Sequence, residues 1–216
     1  MKLPIINAHC HQVYDSQEWS IMNVHDTLRF NSSQLCSVGI HPWYAQEAYD
    51  HDRVDDFYRL IQNKNVRAIG ECGLDKVCST PWELQLKVFS MQIQWAIEWK
   101  KPIIIHCVRS QQEVIKELKG FTGGYVFHGF NRNLEMANSI VNQGGYLSLD
   151  EVFLRTQQGR IVAKHIPLDR LFLETDNEPI SVRGAYICLS ELLGIDLEEI
   201  ALQLHENALE IGLIET

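Results

Sequence analysis

The chain has 216 residues, 45% hydrophobic and 22% charged, with a formal net charge of −9 at pH 7. That length suits one domain over residues 1–216, and no run is long and apolar enough for a membrane span. The acidic balance excludes a broad basic surface that grips nucleic acid through phosphates alone, because such binding depends on clustered lysine and arginine.

Residues 1–6 are followed at once by polar, titratable residues, so no signal peptide is expected and the expected location is cytoplasmic. The six cysteines (Cys10, Cys36, Cys72, Cys78, Cys107 and Cys188) contain no CxxC pair and are expected as reduced thiols rather than a disulfide framework or structural zinc site.

Along the chain, strand-like apolar runs end in polar, titratable residues and then give way to stretches of helical period. The runs are PIINAHCH, WSIMNVH, LCSVGIHP, VRAIGECGLD, KPIIIHC, GGYVFHGF, GGYLSLDE and LFLETD. Residues 15–20 and 27–33 carry little helical patterning, so one or two outer helices near the N-terminus are expected to be short or missing. Thr80, Pro81 and Glu83 read as an N-cap, first-turn proline and capping box, followed by Leu84, Val88, Met91, Trp95 and Trp99 in helical register. Ser110 with Glu113, and Asp196 with Glu199, repeat the box, and Gly144 and Gly145 mark a stop after residues 134–143. The alternation predicts an α/β protein with a parallel sheet. Eight apolar strands favour a single compact (β/α)8 TIM barrel over an open doubly wound sheet.

In a strand, residues two apart face the same side, so His9 and His11 project together while Cys10 points away. Glu71, His106, His128 and Asp176 follow apolar runs in AIGE, PIIIH, GYVFH and LFLETD, which places each near the C-terminal end of its strand, the chemically active face of such barrels. Singly, His106 or His128 reads better as a satisfied core histidine than as a ligand, and Glu71 or Asp176 can be read as capping a following helix or turn. Jointly, so many ionisable groups at apolar strand ends require something that pairs them, and divalent metal ions do so.

In order along the chain, NAHCH, GIHP, IGECGLD, PIIIHC, FHGF and LETDNEP resemble the successive signatures of the TatD-related metal-dependent deoxyribonucleases, within the amidohydrolase-like TIM barrels. The likeness runs from Asn7 to Asn207 in ENALEIGL and includes Gln85, Phe89, Gln92 and Ala96. It implies that His9, His11 and Asp176 bind one metal, that His106 and His128 bind a second, and that Glu71 bridges the two. The ions implied are two divalent cations, with magnesium, zinc, manganese and iron all compatible with such ligands.

The chain also departs from the family pattern. Asn7 stands where Asp is usual, Arg109 is displaced by one residue after His106, and Glu178 precedes a late Pro179. The expected activity is metal-dependent hydrolysis of DNA phosphodiester bonds from an end, on single-stranded DNA or 3′ ends, with no membrane and no obligatory protein partner. Asp176 is the candidate general base and Glu71 its catalytic partner. His41, Arg109, Asn131 and Arg132 are candidates for holding phosphate or base, and Trp43 and Tyr44 for stacking on a base. The alternative is hydrolysis of a small-molecule ester, lactone, amide or phosphoester on the same site; a third reading is a binding protein with a relic site. His25, His51, His165 and His205 are expected at the surface.

Overall fold

A computed structural model of the chain describes residues 5–50 and 53–215; His51 lies outside them. In chain order the elements are β1 (Ile6–Cys10), β2 (Trp19–Val24), β3 (Cys36–Val38), α1 (Ala45–Asp50), α2 (Val54–Ile61), β4 (Val66–Asp75), α3 (Trp82–Trp99), β5 (Ile103–Val108), α4 (Gln111–Glu117), β6 (Tyr125–Phe127), α5 (Leu134–Val141), β7 (Tyr146–Leu149), α6 (Glu151–Arg155), α7 (Gln157–His165), β8 (Leu171–Leu173), α8 (Arg183–Leu193) and α9 (Leu197–Glu210). The strands are parallel and follow one another in the order β1 to β8, the (β/α)8 class expected from the alternation. The first connections are reduced as anticipated: residues 11–18 carry no helix, and only a 3-10 turn at Thr27–Arg29 intervenes between β2 and β3.

The chain divides into two compact units, Met1–Met22 with Val126–Thr216, and Asn23–Tyr125. In the first, β1 pairs with β2, and β7 with both β6 and β8. The backbone after β8 joins β1, since the N–H groups of Thr175 and Asp176 donate to the His9 carbonyl and His11 N–H donates to that of Asp176. The buried Tyr186 hydroxyl donates to Ile6 O and accepts from Ile6 N–H (3.0 and 3.1 Å), binding α8 to β1. Asn207 of α9 donates to the carbonyls of Leu168 and Leu171, anchoring the start of β8.

In the second unit β4 pairs with β3 and β5. Ile103, Ile104 and Ile105 are fully buried, which suits a parallel strand covered on both faces. Helix α3 packs against β4 and carries two buried glutamines seven residues apart. Gln92 accepts from Ile40 N–H (2.7 Å) and donates to Ile40 O (3.0 Å). Gln85 does the same for Asp75 at 2.8 and 3.0 Å. Each primary amide supplies the donor and acceptor that a neighbouring strand would otherwise supply.

The capping boxes are corrected. Pro81, not Thr80, holds the cap position of α3, and the Thr80 hydroxyl donates to Trp43 O. Ser110 sits at the cap of α4 but donates its hydroxyl to Leu74 O (2.6 Å), and Asp196 caps α9 without a side-chain bond. A buried backbone acceptor outcompetes the local cap for Ser110. The stop at Gly144 holds: α5 ends at Val141 and Gly144 takes φ 86°.

Gly73, between Glu71 and Asp75, has φ 146° and lies opposite His106 in the β4–β5 ladder; an added Cβ would overlap the His106 carbonyl oxygen. Gly73→Ala is therefore expected to lower stability by about 2–4 kcal/mol, read as a lower urea midpoint at unchanged slope.

Candidate metal centre

The first unit gathers His9 from β1, His11 just after it, His128 after β6, and Glu174 and Asp176 after β8. Asp176 Oδ1 lies 3.5 Å from His9 Nε2 and 3.4 Å from His11 Nε2. The His9 and His128 rings are 4.2 Å apart, and ligand atoms of His9, His128 and Asp176 lie within 4.8 Å of one another. Burial works against the charge of Asp176, but hydrogen bonds from His11 and His9, together with the charge interactions of His9 and His128, hold its carboxyl well below the usual range. His9 is fully buried, which orients its ring without help from solvent.

Glu174 was not anticipated. Its Oε1 accepts from Gly129 N–H (2.6 Å) and lies 3.4 Å from His128 Nδ1, while Oε2 is buried with no hydrogen-bond partner among the described residues. A proton held on Nδ1 toward Glu174 leaves Nε2 of His128 as the electron-pair donor, a tautomer assigned from its partner. Asn7 is 2% exposed and reads Thr175, the residue before Asp176. Its Oδ1 accepts from Thr175 N–H (3.2 Å) and its Nδ2 donates to Thr175 Oγ1 (2.9 Å). Cys10, the spacer between the histidines, turns its thiol to Ile21 O, and burial pushes it up to about 12, which keeps it a neutral thiol.

The second unit gathers Asn23 of β2, His41 after β3, Glu71 and Asp75 of β4, and His106 of β5. Glu71 is 5% exposed. Asn23 donates to its Oε2 (2.9 Å) and accepts from its backbone N–H (3.1 Å). Glu71 Oε1 lies 2.8 Å from His106 Nδ1 and 3.2 Å from His41 Nε2. On its other side His106 Nε2 meets Asp75 Oδ2 at 3.2 Å, and Trp43 Nε1–H donates to the same oxygen at 2.7 Å. Burial disfavours the charged form of Asp75, yet hydrogen bonds from Trp43, Val77 N–H and His106 hold its carboxyl below its ordinary value. His106 thus stands between two carboxylates, and a proton held on Nε2 toward Asp75 would leave Nδ1 as the electron-pair donor on the Glu71 side.

Ligand atoms of His41, Glu71 and His106 also lie within 4.8 Å of one another. His41 differs in proton placement: its Nδ1 accepts from Trp43 N–H (3.1 Å), so the neutral ring carries its proton on Nε2, aimed at Glu71. It serves Glu71 as a donor.

Of the remaining sequence candidates, Arg109 is exposed with φ 54° at the end of β5, Asn131 is exposed, and Arg132 is half-buried before α5. Asn23, Asp75 and Glu174 were missed. For two of them the signal was present: Asp75 follows Glu71 by four residues, and Glu174 precedes Asp176 by two, the same-face spacing that singled out His9 and His11.

The donor sets fit divalent ions: imidazoles beside outer carboxylates that can fix their tautomers, the Asp176 carboxylate held ionised, and small mutual distances. Such sets at the ends of parallel strands in a (β/α)8 fold define a class, the metal-dependent hydrolases built on this barrel. The chain belongs to the TatD family of these enzymes, since the family model described as TatD related DNase matches residues 8–211. It is 30% identical over 199 residues to the Escherichia coli (strain K12) metal-dependent hydrolase YcfH, covering 83% of this chain and 74% of that protein. Against the human 3′-5′ RNA nuclease TATDN2 it is 29% identical over 149 residues, covering 65% of this chain and 19% of that protein. The crystal structure of YJJV, a TatD homolog from Escherichia coli K12, superposes with a TM-score of 0.82 at 21% identity, covering 97% of this chain and 98% of that one, which shows the shared fold.

If Glu174 fixes the His128 tautomer, Glu174→Gln should weaken binding of divalent ions about 10–100-fold in calorimetric titration while the apo fold melts normally. Unchanged affinity would remove that role.

Proposed function

We propose that the protein hydrolyses phosphodiester bonds of DNA, shortening single strands or 3′ ends in the cytoplasm with two divalent ions. The observation that carries this reading is membership of the TatD related DNase family combined with imidazole and carboxylate donors, oriented by outer carboxylates, in each of the two units. When bound, the ions supply positive charge that grips the scissile phosphate, acidifies a water and stabilises the departing oxygen.

Within this reading His9, His11, His128 and Asp176 are ligands from the first unit, and Glu71 and His106 from the second, with Glu71 in the bridging role that the family resemblance implies. The mixed donors suit manganese, zinc or iron as well as magnesium. Asp176 accepts the proton of the attacking water. Asn23 and His41 hold the Glu71 carboxylate, and Asp75 and Glu174 hold the tautomers of His106 and His128. Arg109, which follows β5, and Asn131 and Arg132, which follow β6, are the proposed phosphate contacts.

The test is incubation of metal-loaded protein with end-labelled single-stranded DNA, beside a panel of small esters and lactones. Stepwise shortening is expected, abolished by chelation and restored by added divalent ions. His106→Ala and Asp176→Ala should each lower kcat/KM about a thousandfold, about 4 kcal/mol of transition-state stabilisation. Strong ester turnover with intact DNA would sink the proposal.

A further inference from the structure

Beside the candidate centre, the second unit contains a cavity of about 190 Å³ lined by His25, Asp26, Tyr44, Glu47, Arg53 and Phe57, among others. It is smaller than the roughly 300–1,000 Å³ pockets that enclose whole small-molecule ligands. We propose that this cavity is a nucleobase subsite, selective for bases that carry an exocyclic amine over thymine. The proposal rests on the nuclease reading above and adds a specificity to it.

Three observations converge. First, the cavity has an aromatic wall: the His25 and Tyr44 rings are nearly parallel (19°) with centroids 5.7 Å apart, Tyr44 is 43% exposed, and Phe57 is buried beneath. A planar base stacks on such a surface without regard to its identity.

Second, its charge is wrong for a phosphate. Arg53 already faces two carboxylates, Asp26 at 3.3 Å and Glu47 at 3.6 Å, so the cavity has more negative than positive side chains. Carboxylates repel phosphate but accept hydrogen bonds from the amino groups of cytosine, adenine and guanine; thymine has no amino group, and its one ring N–H lies between two carbonyl oxygens that neighbouring carboxylates repel. The guanidinium beside them offers a donor to the neighbouring ring nitrogen or carbonyl of the same base.

Third, its position matches one nucleotide. The Tyr44 ring lies 5.9 Å from that of His41, whose Nε2 is 3.2 Å from Glu71 Oε1. Trp43, the other aromatic residue of this segment, bonds Asp75 through its indole N–H and does not line this cavity, so Tyr44 is its platform.

The experiment compares kcat/KM on oligo-dC and oligo-dT for the wild type, Tyr44→Leu and Glu47→Gln, with equilibrium binding of deoxycytidine and thymidine as a separate measurement. Tyr44 and Glu47 are surface residues, and circular dichroism melts check that the variants fold. The wild type should favour oligo-dC roughly tenfold, Glu47→Gln should erase most of that preference, and Tyr44→Leu should lower both substrates roughly tenfold. Equal use of the two oligonucleotides, or a Tyr44→Leu variant indistinguishable from wild type, would overturn the subsite while leaving the nuclease intact. If no oligonucleotide is cleaved, the nuclease reading fails, and nucleoside binding decides the cavity: Tyr44-dependent binding of deoxycytidine supports it, and no binding overturns it.

Discussion

The carboxylate of Glu71 is 5% exposed, at a depth where an uncompensated charge costs several kcal/mol. Its oxygens meet the amide of Asn23, Nε2 of His41 and Nδ1 of His106. None of these groups is obliged to carry positive charge, so the compensation is mainly dipolar and a cation fits where they converge. In the first unit the imidazoles of His9 and His11 approach Asp176, whose side chain is more exposed (37%), so part of its compensation comes from solvent. Much of the surrounding structure follows from the need to keep these groups buried, oriented and balanced.

Orientation is achieved by side chains that imitate backbone. Gln92 closes on Ile40, which precedes His41; Gln85 closes on Asp75 itself; Asn7 closes on Thr175, which precedes Asp176; Asn23 closes on Glu71. In each case one side chain engages the main chain at or beside a polar residue of the site, immobilising the strand end where a parallel ladder would otherwise fray. An uncharged residue at position 7 is thereby explained: the amide offers a donor to the Thr175 hydroxyl and an acceptor to its N–H, and adds no charge to a cluster already rich in carboxylates.

The sequence was legible where a rule of period two or a continuous apolar run applied. All eight strands were read, because runs such as Ile103–Ile104–Ile105 have few other uses. So was the shortage of helices before β3. What failed was local: Thr80, Ser110 and Asp196 look like helix caps, yet Thr80 and Ser110 spend their hydroxyls on carbonyls distant in sequence, which only the folded chain brings near. Asp75 and Glu174 are less legible because a single carboxylate already terminates each apolar run, although the spacing from Glu71 and to Asp176 places each on the same face. Asn23 carried no signal, since an asparagine closing a strand looks like any turn former.

The polyanionic substrate proposed above must be reconciled with a net charge of −9. On the proposed reading the ions resolve it locally, because divalent cations held by the imidazole and carboxylate sets reverse the sign of the potential where the phosphate must sit. Affinity for nucleic acid is then conditional on metal loading and confined to a short stretch of strand, unlike binding along a basic groove. Away from the ions, acidic side chains have a different use. Asp26 and Glu47 pair with Arg53 and present acceptors, so in the proposed subsite contacts would favour the amino groups of bases over the phosphates that link them. An acidic surface in such an enzyme discourages nonspecific adherence to phosphate, and leaves the metal centre to decide where the strand is engaged.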